Sequence, residues 1–141
     1  MKTTIPVKVY YEDTDAGGVV YYANYLKYAE RGRTEFFNAL GFTNSHFLKA
    51  ETPCAFMVRR AEIDYKKPAR LEDDLTVETE ATEVKGAAMT FSQKVMKGAE
   101  ELVVMNIQVV CASLQGRPLR IPSAITVKLQ TGHCERSEAI R

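Results

Sequence analysis

Apolar positions recur along the chain with two different periods, and the change from one to the other marks its elements. Ile5 to Glu12 is rich in Val and Tyr, as a first strand is, and is closed by the polar run Glu12-Asp13-Thr14-Asp15. The Gly17-Gly18 pair then breaks it, because glycine reaches backbone angles other residues avoid. From Ala23 to Leu40 the period is helical. Tyr25, Ala29, Gly32, Phe36 and Leu40 fall on one stripe, and Lys27, Arg31, Thr34 and Asn38 on the opposite, wet face. Gly41 stands just past the last apolar residue, the place of a C-terminal cap. Gly32 costs that helix about 1 kcal/mol of propensity against Ala, a cost a close approach to a sheet would justify.

After a polar loop from Thr43 to Thr52 the pattern is that of strands. Ala55 to Lys66 is one. Leu75, Val77 and Ala81 alternate with Glu78, Glu80 and Thr82 in the next. Met89 to Lys97 follows the Lys85-Gly86 turn, and Lys97-Gly98 opens another. The last strand, Glu101 to Leu114, is the most apolar, which predicts that it is central in the sheet or paired across a subunit interface. Short connections predict an antiparallel sheet, and one long helix packed on it gives an α+β sandwich. Residues 131–141 lack an apolar face, so the expected division is one domain over 1–130 followed by a loose C-terminal tail.

Composition narrows the function classes. The 141 residues make one domain of ordinary globular character, 45% hydrophobic and 26% charged. No apolar run exceeds five residues, far from the ~20 that cross a bilayer. Met1 to Pro6 holds no apolar run of the kind that opens a secretory signal, so the expected location is the cytoplasm. Nineteen Lys and Arg against 18 Asp and Glu leave a net charge of +1, with no field to gather nucleic acid or anionic membrane. Cys54, Cys111 and Cys134 are too scattered for a disulfide framework, and with His46 and His133 they fit no metal-ligand spacing.

The usual nucleophile signatures are missing: there is no Gly-x-Ser-x-Gly elbow and no phosphate-binding loop. Arg59, Arg60, Lys66, Lys67 and Arg70 form a basic stretch around Tyr65, but Glu62 and Asp64 dilute it into a solvated strand and turn. A few of these charges meeting the phosphates of one small ligand is the narrower functional reading. The segment from Tyr10 to Leu26 is more informative. It places three carboxylates within four residues, then a Gly-Gly bend, then a helix start. A helix start offers unpaired N–H groups to a developing oxyanion, and a carboxylate on the preceding loop can face it as base or nucleophile. The same residues also make a plain acidic turn and a hydrophobic helix entry.

This segment resembles the signature of the hotdog-fold thioesterases of the YbgC and 4-hydroxybenzoyl-CoA thioesterase family. The likeness lies in Tyr-x-Asp-Thr-Asp-x-x-Gly-Val-Val-Tyr followed by Ala-Asn-Tyr-Leu-x-Tyr-x-Glu, and continues in Phe56 to Arg60, Pro68 to Leu75 and Arg120-Ile121-Pro122. The resemblance runs from about Val7 to Leu129. It implies a long central helix wrapped by an antiparallel sheet of about five strands, and an acyl-CoA thioesterase without metal or organic cofactor. By the same resemblance Asp15 is the catalytic carboxylate, and the Tyr22 N–H, in the first helical turn, polarises the thioester carbonyl. Gly18 and Val19 line the substrate, and Arg59, Arg70 and Arg120 are candidates for coenzyme A phosphates. The implied assembly is a homodimer or homotetramer with interfacial active sites. YbgC-type chains usually carry His where this one has Tyr22, and Ala where it has Gly32. The alternative is a non-catalytic hotdog module binding acyl carrier protein or Tol-Pal cell-envelope partners. A hotdog dehydratase would need a histidine that this segment lacks.

Overall fold

The computed structural model describes residues 1–130. The expected tail at 131–141 lies outside the described residues. Five strands form one antiparallel sheet: β1 (Lys2–Lys8), β2 (Cys54–Tyr65), β3 (Asp74–Lys85), β4 (Ala88–Lys97) and β5 (Glu100–Ser113), in the order β1-β3-β4-β5-β2. Helix α1 (Asn24–Ala39) packs chiefly on β1, β3 and β4, and the short α2 (Asn44–Leu48) packs on β2. This is the α+β hotdog arrangement, a helix wrapped by a five-stranded antiparallel sheet.

Helix α1 buries the stripe its sequence shows: Tyr25, Ala29, Gly32, Phe36 and the capping Leu40 are all buried. Its end is a Schellman motif. The Gly41 N–H donates to Asn38 O and the Phe42 N–H to Phe37 O, with Gly41 at φ 97°. Gly32 marks the closest approach to the sheet. A Cβ there would stand 2.6 Å from Thr79 Oγ1 and 2.9 Å from Val77 Cγ1. Around that contact lies a buried polar knot, in which Gln93 Nε2 donates to Ala29 O and to Thr79 Oγ1.

Four expectations need correcting. The first strand is Lys2–Lys8 rather than Ile5 to Glu12, because Asp13 turns the following residues into a 3₁₀ turn at Tyr11–Asp13. The Tyr10 N–H donates to Asp13 Oδ2, and the Asp13 N–H donates back to Tyr10 O. The loop at Thr43 to Thr52 contains α2, capped by Thr43 Oγ1, which accepts from the His46 N–H at 3.0 Å; Phe47 enters the core. The sheet's middle strand is β4, and β5 lies between β4 and the edge strand β2. A further helical stretch spans 123–130 and buries Ile125.

Candidate active site

The residues from Tyr10 to Tyr22 fold into a compact loop held by the backbone. Asp15 and Gly18 close a tight turn: the Gly18 N–H donates to Asp15 O, and the Asp15 N–H donates to Val19 O at 2.9 Å. Asp15 Oδ1 accepts from the Gly17 N–H at 2.8 Å, an Asx turn that only a short acceptor side chain closes. Gly18 sits at φ 79°, the left-handed residue such a turn requires. The loop is fastened on one side to residues 69–71, by Val20 N–H to Ala69 O and by the bridge of Val19 with Arg70. On the other side Asp13 O accepts from the Tyr21 N–H and from Asn24 Nδ2, which ties the turn to the start of α1.

Tyr22 stands one residue ahead of the helix cap Ala23, not in the first helical turn. The Asn24 N–H donates to Tyr21 O, so Tyr22 and Ala23 are the two central residues of a β-turn that leads into α1. Among the described residues the Tyr22 N–H has no acceptor. The residue is 61% exposed, and its ring meets Tyr65 edge-on at 6.2 Å. Tyr65 in turn tilts against Tyr25, whose hydroxyl accepts from the Ala69 N–H at 3.0 Å. Tyr22, Tyr25, Tyr65, Lys66 and Pro68 line a cavity of about 220 Å³ at this place. Behind it Tyr28 is buried, with no hydrogen-bond partner for its hydroxyl among the described residues. Burial first, and the Asp13 carboxylate second, push its pKa above the ordinary tyrosine range.

The three arginines do not converge within one chain. Arg70 is beside the loop, its N–H donating to Asp73 Oδ2 at 2.8 Å. Burial disfavours the charge on Asp73, but the Arg70 N–H and the Lys97 ammonium at 3.1 Å outweigh it and hold its pKa below the usual carboxylate range. Arg59 sits at a bulge of β2, six residues and so about 20 Å along the strand from Tyr65. Arg120 follows Leu119, whose N–H donates to Cys111 O; Cys111 pairs with Phe56, about 30 Å from Tyr65 along the strand. The sequence does not place Tyr65 against Tyr22, because that contact spans residues 22 to 65 and no local pattern encodes it. Among the described residues no group of three or more His, Cys, Asp or Glu is arranged to hold a metal, and no helix is long and apolar enough to cross a membrane.

Residues 9–129 match the Thioesterase-like superfamily. The chain is 46% identical over 123 residues to the acyl-CoA thioesterase YbgC of Haemophilus influenzae, covering 86% of this chain and 90% of that one. It is 38% identical over 135 residues to the acyl-CoA thioester hydrolase YbgC of Escherichia coli O6:H1, covering 92% and 99%. The crystal structure of a probable thioesterase from Bartonella henselae superposes with a TM-score of 0.84 at 33% identity, over 86% of this chain and all of that one. With this fold and these relatives, the chain belongs to the hotdog-fold thioesterases, in the YbgC and 4-hydroxybenzoyl-CoA thioesterase family.

Proposed function

We propose that this chain is an acyl-CoA thioesterase in which Asp15 is the general base or nucleophile and the Tyr22 N–H polarises the thioester carbonyl. The observation that carries the reading is that N–H group, left without an acceptor at the mouth of α1 among the described residues. A donor held in advance at a developing oxyanion is worth ~10²–10³ in rate, and a positioned base another ~10²–10⁴. Asp15 is exposed, and Oδ2 has no partner among the described residues. As base it takes a proton from water as the water oxygen attacks the carbonyl carbon; as nucleophile it attacks directly and forms an anhydride that water then opens. Either way the coenzyme A thiolate leaves. The relatives from Haemophilus influenzae and Escherichia coli, named acyl-CoA thioesterase and acyl-CoA thioester hydrolase, support the substrate class. We assign residues 1–130 to the thioesterase domain and place the protein in the cytoplasm.

We also propose a homodimer built on the edge strand β2. Val58, Ala61, Ile63 and Tyr65 pair with Val109, Ile107, Met105 and Val103, all buried, and so share the inner face of the sheet. Yet Val58 is 50% and Tyr65 45% exposed, because α1 lies over β1, β3 and β4, at the far end of the sheet from β2. Antiparallel pairing of β2 with a second copy would close that edge. In a register centred on Glu62 it would also lay Arg59 of one copy beside Tyr65 of the other, a route for a second subunit's cations to reach the site. Arg70 is the better placed phosphate contact within a single chain.

The binding-module reading keeps one observation in its favour. The Asx turn gives Asp15 a structural task, so a scaffold protein too would have use for it. Thiol release from a panel of acyl-CoAs, followed with a chromogenic thiol reagent, decides between the two. Hydrolysis that depends on Asp15 supports the enzyme, and no hydrolysis of any member supports the scaffold.

A further inference from the structure

The turn from Arg70 to Asp73, just ahead of β3, supports the site loop from behind. Its backbone closes through the Asp73 N–H, which donates to Arg70 O at 3.1 Å. The Asp73 side chain closes it a second time, with Oδ2 accepting from the Arg70 N–H at 2.8 Å. Oδ1 meets the Lys97 ammonium at 3.1 Å, and the Asp73 side chain is only 14% exposed. Within the turn Glu72 has φ 69°, and among the described residues no other non-glycine residue has a positive φ. The third residue of a β-turn takes such an angle readily only as glycine or asparagine. A longer side chain persists there where surrounding bonds over-determine the backbone. They do so here: the Glu72 N–H donates to Val9 O, the Val9 N–H donates to Asp73 O, and the Asp73 carboxylate caps the turn.

The site loop is fastened to this turn. The Val20 N–H donates to Ala69 O at 2.9 Å, Val19 bridges Arg70, and the Leu71 N–H donates to Gly18 O at 3.4 Å. Val19 O in turn accepts from the Asp15 N–H at 2.9 Å. Ala69 is fully buried, and its N–H donates to the Tyr25 hydroxyl, which anchors the same stretch to α1. We propose that Asp73 is a positioning residue for the reaction: by capping the Arg70 N–H it holds the strained turn in the shape on which the Asp15 loop docks. Its effect on turnover rests on the catalytic reading of Asp15, whereas its effect on the order of the loop does not. A reacting group misplaced by about 1 Å costs up to ~10² in rate.

Substitutions at Asp73 separate the short acceptor from the charge. Asp73→Asn keeps an oxygen within reach of the Arg70 N–H and loses the charge facing Lys97, a half-exposed partner whose loss matters little. Asp73→Glu keeps the charge on a longer arm that closes such a turn poorly. Asp73→Ala removes both. Hydrogen exchange of the isotope-labelled full chain and turnover of an acyl-CoA are measured for each. In the Ala and Glu variants the Val20 and Asp15 amides should exchange ~10-fold faster or more, with the β4–β5 ladder unchanged and kcat down ~10-fold or more. The Asn variant should match the parent in both. Adding Glu72→Gly to Asp73→Ala should restore part of the lost order and turnover, since glycine takes a positive φ unaided. The turnover number is the readout rather than KM, because Arg70 lies in the same turn. Parental turnover in the Ala variant, or in the Glu variant where Ala does not fold, would overturn the proposal. So would an Asn variant as impaired as Ala, which would trace the effect to Lys97, or exchange quickened evenly through the ladder, which would mean lost stability alone. Full turnover in Asp15→Asn would end the catalytic reading by itself, and the exchange data would still decide whether Asp73 orders the loop.

Discussion

The Asp15 carboxylate divides its two oxygens, Oδ1 closing the turn on the Gly17 N–H and Oδ2 facing outward, and this makes the conservative substitution informative. Asp15→Asn retains the acceptor that shapes the turn and loses the charge. We expect a folded protein with turnover down by at least ~10², the lower end for removing a general base; near-normal turnover would end the assignment. Asp13→Asn should cost much less, since the work of Asp13 is to hold the Tyr10 N–H and, through its carbonyl, the helix entry. A single turnover in heavy-oxygen water separates the two routes open to Asp15. A base places label in the product acid at once, whereas a nucleophile freed by attack on its own carbonyl takes the label itself. At Tyr22 the main chain and side chain can be tested apart. Tyr22→Phe and Tyr22→His keep the N–H and should stay active. Tyr22→Pro removes it, at the second position of a β-turn where proline's fixed φ is favoured. The expected loss is ~10²–10³ in turnover with assembly intact. Circular dichroism and sizing come first, because Tyr21 is pushed toward extended angles by a following proline. Damage from Tyr22→Phe equal to that from Tyr22→Pro would make the hydroxyl the working group.

At the scale of elements, α1 and the last four strands are legible in the sequence because their periods are long and unbroken, and the structure agrees within a residue or two at most ends. The first strand is displaced because Thr3 and Thr4 look polar in isolation. The ladder with β3 recruits them all the same, pairing Thr3 with Thr79 and burying it. α2 is invisible to periodicity at five residues, and its two signals, a Thr cap and one buried Phe, are those of any loop. The apolar richness of β5 shows that both its faces are crowded, but not that β4 occupies the middle of the sheet, since strand order is set by pairings far apart in the chain. Gly32 is where sequence and packing bear on each other most directly. Gly32→Ala gains about 1 kcal/mol of helix propensity and must push back Thr79 and Val77, so the two effects oppose and a net change within about 1 kcal/mol is expected. Gly32→Val adds bulk that the contact has no room for and should lose roughly 1–3 kcal/mol. Urea midpoints of the three proteins check the ordering, and a Val variant as stable as the parent would show that the helix lifts freely.

Taken as a whole molecule, the described chain leaves one side unfinished, since β2 is a long edge strand whose apolar inner face is left open from Val58 to Tyr65. The other end of the chain is better closed: Ile121 and Ile125 are buried, so the stretch 123–130 belongs to the core. Truncation after Gln130 is therefore expected to leave oligomer size, thermal midpoint and activity nearly unchanged, whereas a cut before Ser123 should lower the midpoint. The edge itself is tested by Ala61→Glu. Ala61 is exposed on the inner face of β2, so a glutamate there costs the isolated chain little. In a dimer formed by β2 pairing with its own copy, the same change would bring two carboxylates toward each other across the two-fold and into an apolar contact. Like charges facing across strands are unfavourable, and a charge desolvated without a partner is more so. The expected outcome is a monomer by sedimentation, with circular dichroism unchanged and turnover falling along with the assembly, since the cations on β2 would then have no second subunit to serve. A dimer of parental strength in the Ala61→Glu protein would place the interface elsewhere. A monomer that hydrolyses acyl-CoA as fast as the parent would keep the interface and show that Asp15, Tyr22 and Arg70 of one chain suffice.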